Sequence, residues 1–426
     1  MRVLLISANT ETINMPVLPL GLVYVAEAVK NAGHEVELID MMEQHDSQLT
    51  LQDAVNDFQP EVIGVSVRNI DDQCMEKPRF LLESVKDLVD ACRRLTDVPV
   101  ILGGAGYSIF PESALEYLGA DMGIQGEGEI AFVDLLEKIR LKENPSGIPR
   151  LYLPGRGVQG HVRHPGDLNT CSIPVLNSDQ ATLSPTQKQN VWIPFQSRRG
   201  CPLNCSYCST ATIEGLNIRE HSAKLVVEAL ARHVETGFSQ FFFVDNVFNL
   251  PLSYAKELCT QIAKANLNIS WRCILYPWKV DEELVEKMRE AGCKEVSFGF
   301  ESGSKTILKA MNKKFLPEEV RRISGILGDY NITRMGFLLL GGPGETRETV
   351  LESLSFADSL GLEAMKITAG IRIYPNTDLA RIAISEGLIE PDDDLLYPRF
   401  YVVPGLEQWL RDTVNSWIAT RPNWIQ

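Results

Sequence analysis

The chain has 426 residues, 44% of them hydrophobic and 23% charged, and a net charge of −15. That length allows two to three domains, and the acidic balance argues against nucleic acid as a partner. No apolar run reaches the 18 residues of a membrane span, and Met1–Ser7 lacks the flanks of a secretory signal, so a cytoplasmic protein is expected.

Residues 1–142 alternate apolar strands with amphipathic helices. Strands are predicted at Val3–Ile6, Glu35–Ile39, Val62–Val67, Val98–Leu102 and Met122–Gln125, and helices at Leu20–Ala32, Phe80–Leu95 and Ala131–Lys142. Strands that are apolar on both faces and separated by helices predict a parallel, doubly wound, Rossmann-like sheet. Ligands of such sheets bind at the carboxyl ends of the strands. Those ends carry Ser7 and Asn9, then Ser66, Arg68 and Asn69, then Gly103 and Gly104, then Gly126 and Glu127. The glycines would let a backbone approach a large ligand closely. The first strand lacks the G-x-G-x-x-G fingerprint, which argues against a nicotinamide cofactor.

Residues 143–190 are dense in Pro and Gly and read as a linker with a small hairpin and an extended crossing. Strand–helix units restart in residues 191–379. Strands are predicted at Trp192–Gln196, Gln240–Val244, Ile269–Leu275, Glu295–Phe300, Arg334–Leu340 and Ala364–Arg372. Helices are predicted at Ala223–Thr236, Leu252–Ala265, Asp281–Ala291, Pro317–Asp329 and Glu345–Leu360. Six such units suit a partial (β/α)6 barrel, whose site belongs at the carboxyl ends of its strands. Residues 380–426 form an extension with a helix at Leu406–Ala419, expected to close the open side of the barrel or shape a substrate pocket.

Cys201, Cys205 and Cys208 follow the first strand of this second domain, spaced C-x3-C-x2-C. Three thiolates can hold three irons of a 4Fe–4S cluster and leave the fourth iron open for chemistry. Structural zinc wants four ligands, and no fourth Cys or His lies nearby in sequence. Nine cysteines, an odd number, in a chain without a secretory signal argue against a disulfide framework. The other six are read mostly as buried small hydrophobes. Arg198 and Arg199 beside the motif are expected to pair with carboxylates.

The cysteine run resembles the signature of the radical S-adenosylmethionine (SAM) superfamily. That resemblance implies a 4Fe–4S cluster whose open iron chelates SAM and reductively cleaves it to a 5′-deoxyadenosyl radical. By the same resemblance, Asp245 and Asn246 accept hydrogen bonds from the methionine amine, and Glu301 and Ser302 bind the ribose hydroxyls. Gly341 and Gly342 border the adenine, and Tyr207 packs near it. The first 140 residues resemble the cobalamin-binding domain fused to many such enzymes. The matching pieces are Pro19-Leu-Gly-Leu22, Ala32-Gly-His-Glu-Val36, Pro60-Glu-Val-Ile-Gly-Val-Ser66, Val100-Ile-Leu-Gly-Gly104 with Pro111-Glu112, and Gly126-Glu-Gly-Glu129. Some cobalamin proteins supply a His to cobalt through D-x-H-x-x-G. Here His34 and His45 do not fit that motif, so no His ligand is expected, and Arg68 and Asn69 are the candidates for the lower face.

Together the resemblances imply a cobalamin-dependent radical SAM enzyme, foremost a methyltransferase that moves a methyl from methylcobalamin to an unactivated carbon. Two alternatives within the class are cyclisation, ring contraction or oxidation without methyl transfer, and a first domain that docks without cobalamin. A cluster-bearing sensor is the alternative from another class. The implied partners are a small-molecule, lipid or peptide substrate and an electron donor such as flavodoxin or ferredoxin.

Overall fold

The computed structural model describes residues 1–11, 18–43, 47–160, 166–175 and 191–426. They form two compact units. The first is Met1–Pro174 with Ser209–Gly215 and Asp392–Pro398; the second is Val175–Cys208, Leu216–Pro391 and Arg399–Gln426.

The first unit is built on strands β1 (Arg2–Ser7), β2 (Glu35–Asp40), β3 (Val62–Ser66), β4 (Val100–Gly103) and β5 (Met122–Ile124), all parallel, in the order β2-β1-β3-β4-β5. Val3, Leu4, Ile6, Val62 and Ile63 are fully buried, as a sheet covered on both faces requires. Helices Leu20–Asn31 and Glu129–Leu141 pack together on one face through Leu22, Ala26, Val29, Leu135 and Leu136. Each of these Leu and Val side chains stabilises by roughly 2 kcal/mol when fully buried. The expected hairpin is present as β6 (Leu151–Leu153) and β7 (Gly157–Gln159), which extend the sheet antiparallel beyond β5. The crossing expected at 176–190 and the residue His45 lie outside the described residues.

Helices Ser47–Phe58, Ala105–Ile109, Pro111–Leu118 and Thr210–Glu214 of this unit were not predicted. Ser47–Phe58 does carry a stripe, Leu51, Ala54, Val55 and Phe58 at i, i+3, i+4 and i+7, which the sequence reading passed over; Leu51, Ala54 and Val55 are buried. Pro111–Leu118 opens on a Pro at its first turn and closes on Gly119 at φ +65°, and it hides behind the turn residues that bound it.

The second unit is a parallel sheet of β8 (Ile193–Phe195), β11 (Gln240–Phe243), β12 (Ser270–Leu275), β13 (Cys293–Glu301), β14 (Thr333–Leu340) and β15 (Ala364–Ala369), each beside the next. Two short strands, β9 (Arg198–Arg199) and β10 (Arg219–Glu220), pair as a separate antiparallel ribbon. Burial along the long strands alternates residue by residue. Phe241, Phe243, Trp271, Cys273, Val296, Phe298, Leu338 and Ile367 are buried to 1% exposure or less. This face packs under the helices. The opposite, half-open face carries Phe242, Arg272, Glu295, Ser297, Lys366 and Thr368, a polar lining for the partial barrel.

The strand expected to run over Ala364–Arg372 breaks at Gly370, which sits at φ +82°. Past the break β16 (Ile371–Arg372) pairs antiparallel with β17 (Phe400–Tyr401), so the extension is stitched to the end of the barrel. Its last strand, β18 (Trp424–Ile425), adds to the far edge against Met365 and Lys366. No described helix is long and apolar enough to cross a membrane.

Candidate active site

The cysteine loop leaves the carboxyl end of β8. Its base is fixed by Asp245, which is wholly buried. Oδ1 accepts from the Ser197 and Arg198 amides at 2.7 and 3.1 Å, and Oδ2 accepts from the Ser197 hydroxyl at 2.6 Å. The Arg198 guanidinium pairs with Oδ2 at 3.2 Å and reaches the carbonyls of Phe248 and Leu250. The ribbon of β9 and β10 pinches the loop at its root. Farther out, the Ser206 amide donates to Met311 O at 3.2 Å, Asn312 Nδ2 donates to Asn204 O at 2.6 Å, and the Leu379 amide donates to Ser206 O at 2.9 Å.

Cys201 and Cys205 are half-buried and Cys208 is exposed; no disulfide joins any of the nine cysteines. Among the described residues no three His, Cys, Asp or Glu side chains converge on a single ion position. A zinc site needs such convergence. A 4Fe–4S cluster gives each thiolate its own iron, so three thiols spread along one loop fit it.

The strand alternation sorts the predicted pairs. Asp245 faces the helices and is consumed in holding the loop, whereas Asn246, one residue on, stands on the half-open face. Both Asp245 oxygens are thus engaged within the protein, and of the expected pair Asn246 is the more open member. Ser302 is likewise wholly buried: its hydroxyl bonds the Ser353 hydroxyl at 2.8 Å and accepts from the Ser304 amide at 3.1 Å. Its hydroxyl is thus engaged within the core. Glu301 faces the opposite way.

Glu301 sits at a register shift in β13 with φ +61°, a conformation that costs a non-glycine residue about 1 kcal/mol. Gly299 makes room for it, since a Cβ there would come within 2.5 Å of Glu301 Oε1. That oxygen accepts from the Tyr207 hydroxyl at 3.0 Å and from Lys313 Nζ at 3.2 Å, and Lys313 also donates to the Tyr207 oxygen at 3.0 Å. Both bonds fall on Oε1. Burial works to lower the Lys313 pKa, but Glu301, Tyr207 and Cys205 outweigh it and hold the ammonium charged. Burial raises the Cys205 thiol, and the Lys313 charge opposes that rise. Lys313 is thus at the centre of the site although sequence reading missed it. It lies in Met311-Asn-Lys-Lys-Phe315, where no period or motif separates it from a surface lysine.

Gly341 and Gly342 are both buried after β14, and their amides donate to Glu345 Oε2. A Cβ at Gly342 would meet Ile371 and Met311, so this loop closes tightly on the neighbouring elements.

In the first unit the order β2-β1-β3 puts a topological switch point between β1 and β3. Asn69 Nδ2 donates to Asn9 Oδ1 across it at 3.2 Å. Ala8, Asn9, Val67, Arg68 and Asn69 border a small cleft there. Ser7 is buried, Ser66 is half-buried, and Arg68 is exposed at the end of β3. Gly104 is required by the fold: at φ +98°, a Cβ there would come within 2.5 Å of Val67 O. Gly103 O accepts from the Val67 amide at 2.8 Å. Gly126, at φ +78°, leaves space for Arg150 Nη1, which donates to Gln125 O and Ile213 O at 3.4 Å. Glu127 beside it is half-buried. Ser108, which sequence reading missed, ties the two glycine turns together by donating to Gly104 O and accepting from the Gly126 amide, both at 2.7 Å. His34 contacts the N-terminal ammonium at 3.2 Å, at the amino end of the strands and away from this cleft.

Two family models match the chain: the B12 binding domain over residues 6–136 and the Radical SAM superfamily over residues 196–357. The chain is a radical SAM protein with an N-terminal B12-binding domain. The fold class expected from the sequence is therefore established, and with it an enzyme that uses a 4Fe–4S cluster, SAM and cobalamin. This B12-binding radical SAM protein is 28% identical over 401 residues to an uncharacterized methyltransferase of Pyrococcus horikoshii, covering 91% of this chain and 84% of that one. It is 24% identical to tryptophan 2-C-methyltransferase of Streptomyces laurentii, covering 88% and 73%. Its fold matches the radical SAM methyltransferase TsrM from Kitasatospora setae, solved with tryptophan and a SAM analog, with a TM-score of 0.87, 22% identity, and 98% and 88% coverage.

Proposed function

We propose that this protein is a cobalamin-dependent radical SAM methyltransferase acting on an unactivated carbon. The observation that carries the reading is the Lys313–Glu301–Tyr207 cluster beside Cys205, in a chain that also carries a B12-binding domain. Lys313 and Tyr207 fix the Glu301 rotamer through Oε1, which leaves Oε2 to accept the two ribose hydroxyls of SAM. Asn246, on the same half-open face, offers an amide oxygen to the methionine ammonium. Cys201, Cys205 and Cys208 would ligate the cluster. Asn9, Arg68 and Asn69 at the switch point would meet the lower face of the corrin; His34 is at the wrong end of the sheet to do so. When bound, the cluster and the cobalamin supply the SAM cleavage and the methyl carriage, while the protein orients them and limits water. The methyltransferases among its relatives support transfer of a methyl over radical chemistry without it.

The test is anaerobic purification from cells supplied with cobalamin, with bound metal and product mass as readouts. About one cobalamin and about four irons per chain, with a product heavier by one methylene, are expected. Iron without cobalamin, even after direct addition, would reduce the first domain to a scaffold. Both cofactors with no gain in product mass would point to cyclisation or oxidation.

A further inference from the structure

A lysine ammonium has three N–H donors and one charge. Inside the site Lys313 has an acceptor for each donor. Nζ meets the Tyr207 hydroxyl oxygen at 3.0 Å and Glu301 Oε1 at 3.2 Å, and it hydrogen-bonds the Cys205 sulfur. The ammonium also lies over the rings of Tyr207 and Tyr276, 5.3 and 5.6 Å from their centroids, contacts that favour its charged form. The side chain is 4% exposed. The backbone on either side holds it in place. The Lys314 amide donates to the Tyr276 hydroxyl at 2.9 Å, and Met311 O and Asn312 Nδ2 grip the cysteine loop at Ser206 and Asn204. Glu301 opposes the field of the ammonium, but at Cys205 Lys313 has the larger effect of the two. The ion pair thus presents its positive end to the cysteine.

We propose that Lys313, besides fixing Glu301, raises the reduction potential of the 4Fe–4S cluster by holding a buried positive charge against the sulfur of Cys205. The proposal rests on the reading above that Cys205 is a cluster ligand. One electron entering the cluster adds one negative charge, and no bond in this chain forms or breaks. A fixed cation nearby stabilises that added charge. A hydrogen bond to a ligating sulfur draws electron density from it, and the two effects act in the same direction. Burial makes the charge count, because little water or salt comes between it and the sulfur. A surface lysine such as Lys314 would be screened and would do neither. This role is separate from holding SAM, since the charge acts on the cluster before the ligand arrives.

The experiment is a redox titration of the cluster-loaded protein without SAM. Dithionite supplies the electron, and the reduced cluster is counted by its electron paramagnetic resonance signal. Lys313→Met should make reduction at least tenfold less favourable, a potential lower by about 59 mV or more. Lys313→Gln keeps an N–H donor without the charge and should also fall, by less than Met. Lys313→Arg restores the charge and should recover at least half of the shift. Glu301→Gln removes the opposing charge and should move the potential upward. A merely structural role predicts shifts of one sign in Lys313→Met and Glu301→Gln, because each loosens the same cluster of side chains. Shifts of one sign in those two variants, or a change of less than twofold in both Lys313→Met and Lys313→Gln, would overturn the proposal. Wild-type iron content and potential in Cys205→Ala would instead overturn the assignment of Cys205 as a ligand.

Discussion

Replacing Glu345 by Gln should abolish a pH dependence of stability built into the loop after β14. Glu345 is 3% exposed. Its Oε2 accepts from the amides of Gly341 and Gly342, while Oε1 is buried with no partner. Burial is the larger effect and pushes the carboxyl from 4.5 up to about 7, and the two amide bonds pull it back only in part. Between those two pH values the folded chain keeps a proton that the unfolded chain has lost. Stability therefore falls as pH rises through this window and levels off above about 7. At about 1.4 kcal/mol per pH unit, the whole effect is roughly 3 kcal/mol. Gln keeps an acceptor for both glycine amides and has no charge to bury, so it lacks the slope. The assay is thermal unfolding of wild type and Glu345→Gln at pH 5 and pH 8. Between these conditions the wild-type transition should drop on the order of 6 °C more than the variant's, at roughly 2 °C per kcal/mol for a unit above 200 residues. Comparing the two proteins at each pH cancels every other titrating group. Parallel pH responses would show that the Glu345 carboxylate is solvated in the folded state, and would refute the reasoning.

Three further substitutions probe the site. Lys313→Met leaves Glu301 without its counter-charge in a nearly buried position, a loss of roughly 3 kcal/mol; calorimetric SAM affinity should fall at least tenfold, with Lys313→Arg recovering part of it. Gly299→Ala drives a Cβ to within 2.5 Å of Glu301 Oε1, so SAM binding should weaken while iron content stays at the wild-type level. Asp245→Asn strands the buried Arg198 guanidinium, and should lower the unfolding transition of the barrel by about 3 kcal/mol and reduce the iron retained after desalting. Unchanged iron and unchanged unfolding in Asp245→Asn would restore Asp245 as a ligand contact.

What the sequence made legible, and what it hid, follow from the range of the interactions involved. The strands of both sheets and most helices are visible because a period of two or 3.6 is a local property, and Val3–Ile6 or Ala223–Glu235 carry it in their own residues. The cysteines are visible because their ligands lie on one loop. The pairs Asp245/Asn246 and Glu301/Ser302 were located at the right strand ends, but the role within each pair depends on which face of the strand meets the helices. That face is set by the whole sheet. A strand whose burial runs buried, half-open, buried along Phe241–Phe243 already commits Asp245 to the covered side, so in hindsight the phase of the apolar alternation identifies Asn246 and Glu301 as the available members. Lys313 has no such signal. It reaches Glu301 by the fold of the turn after helix Lys305–Ala310, and the charge it neutralises lies twelve residues earlier in the chain. An ammonium buried against a carboxylate and a phenol is stable only because those partners are in place, so its importance exists in the tertiary structure alone. The same reasoning separates Lys313 from Lys309 and Lys314. Three lysines on one short segment are indistinguishable as sequence, yet one is drawn inside to complete the site and two are left exposed.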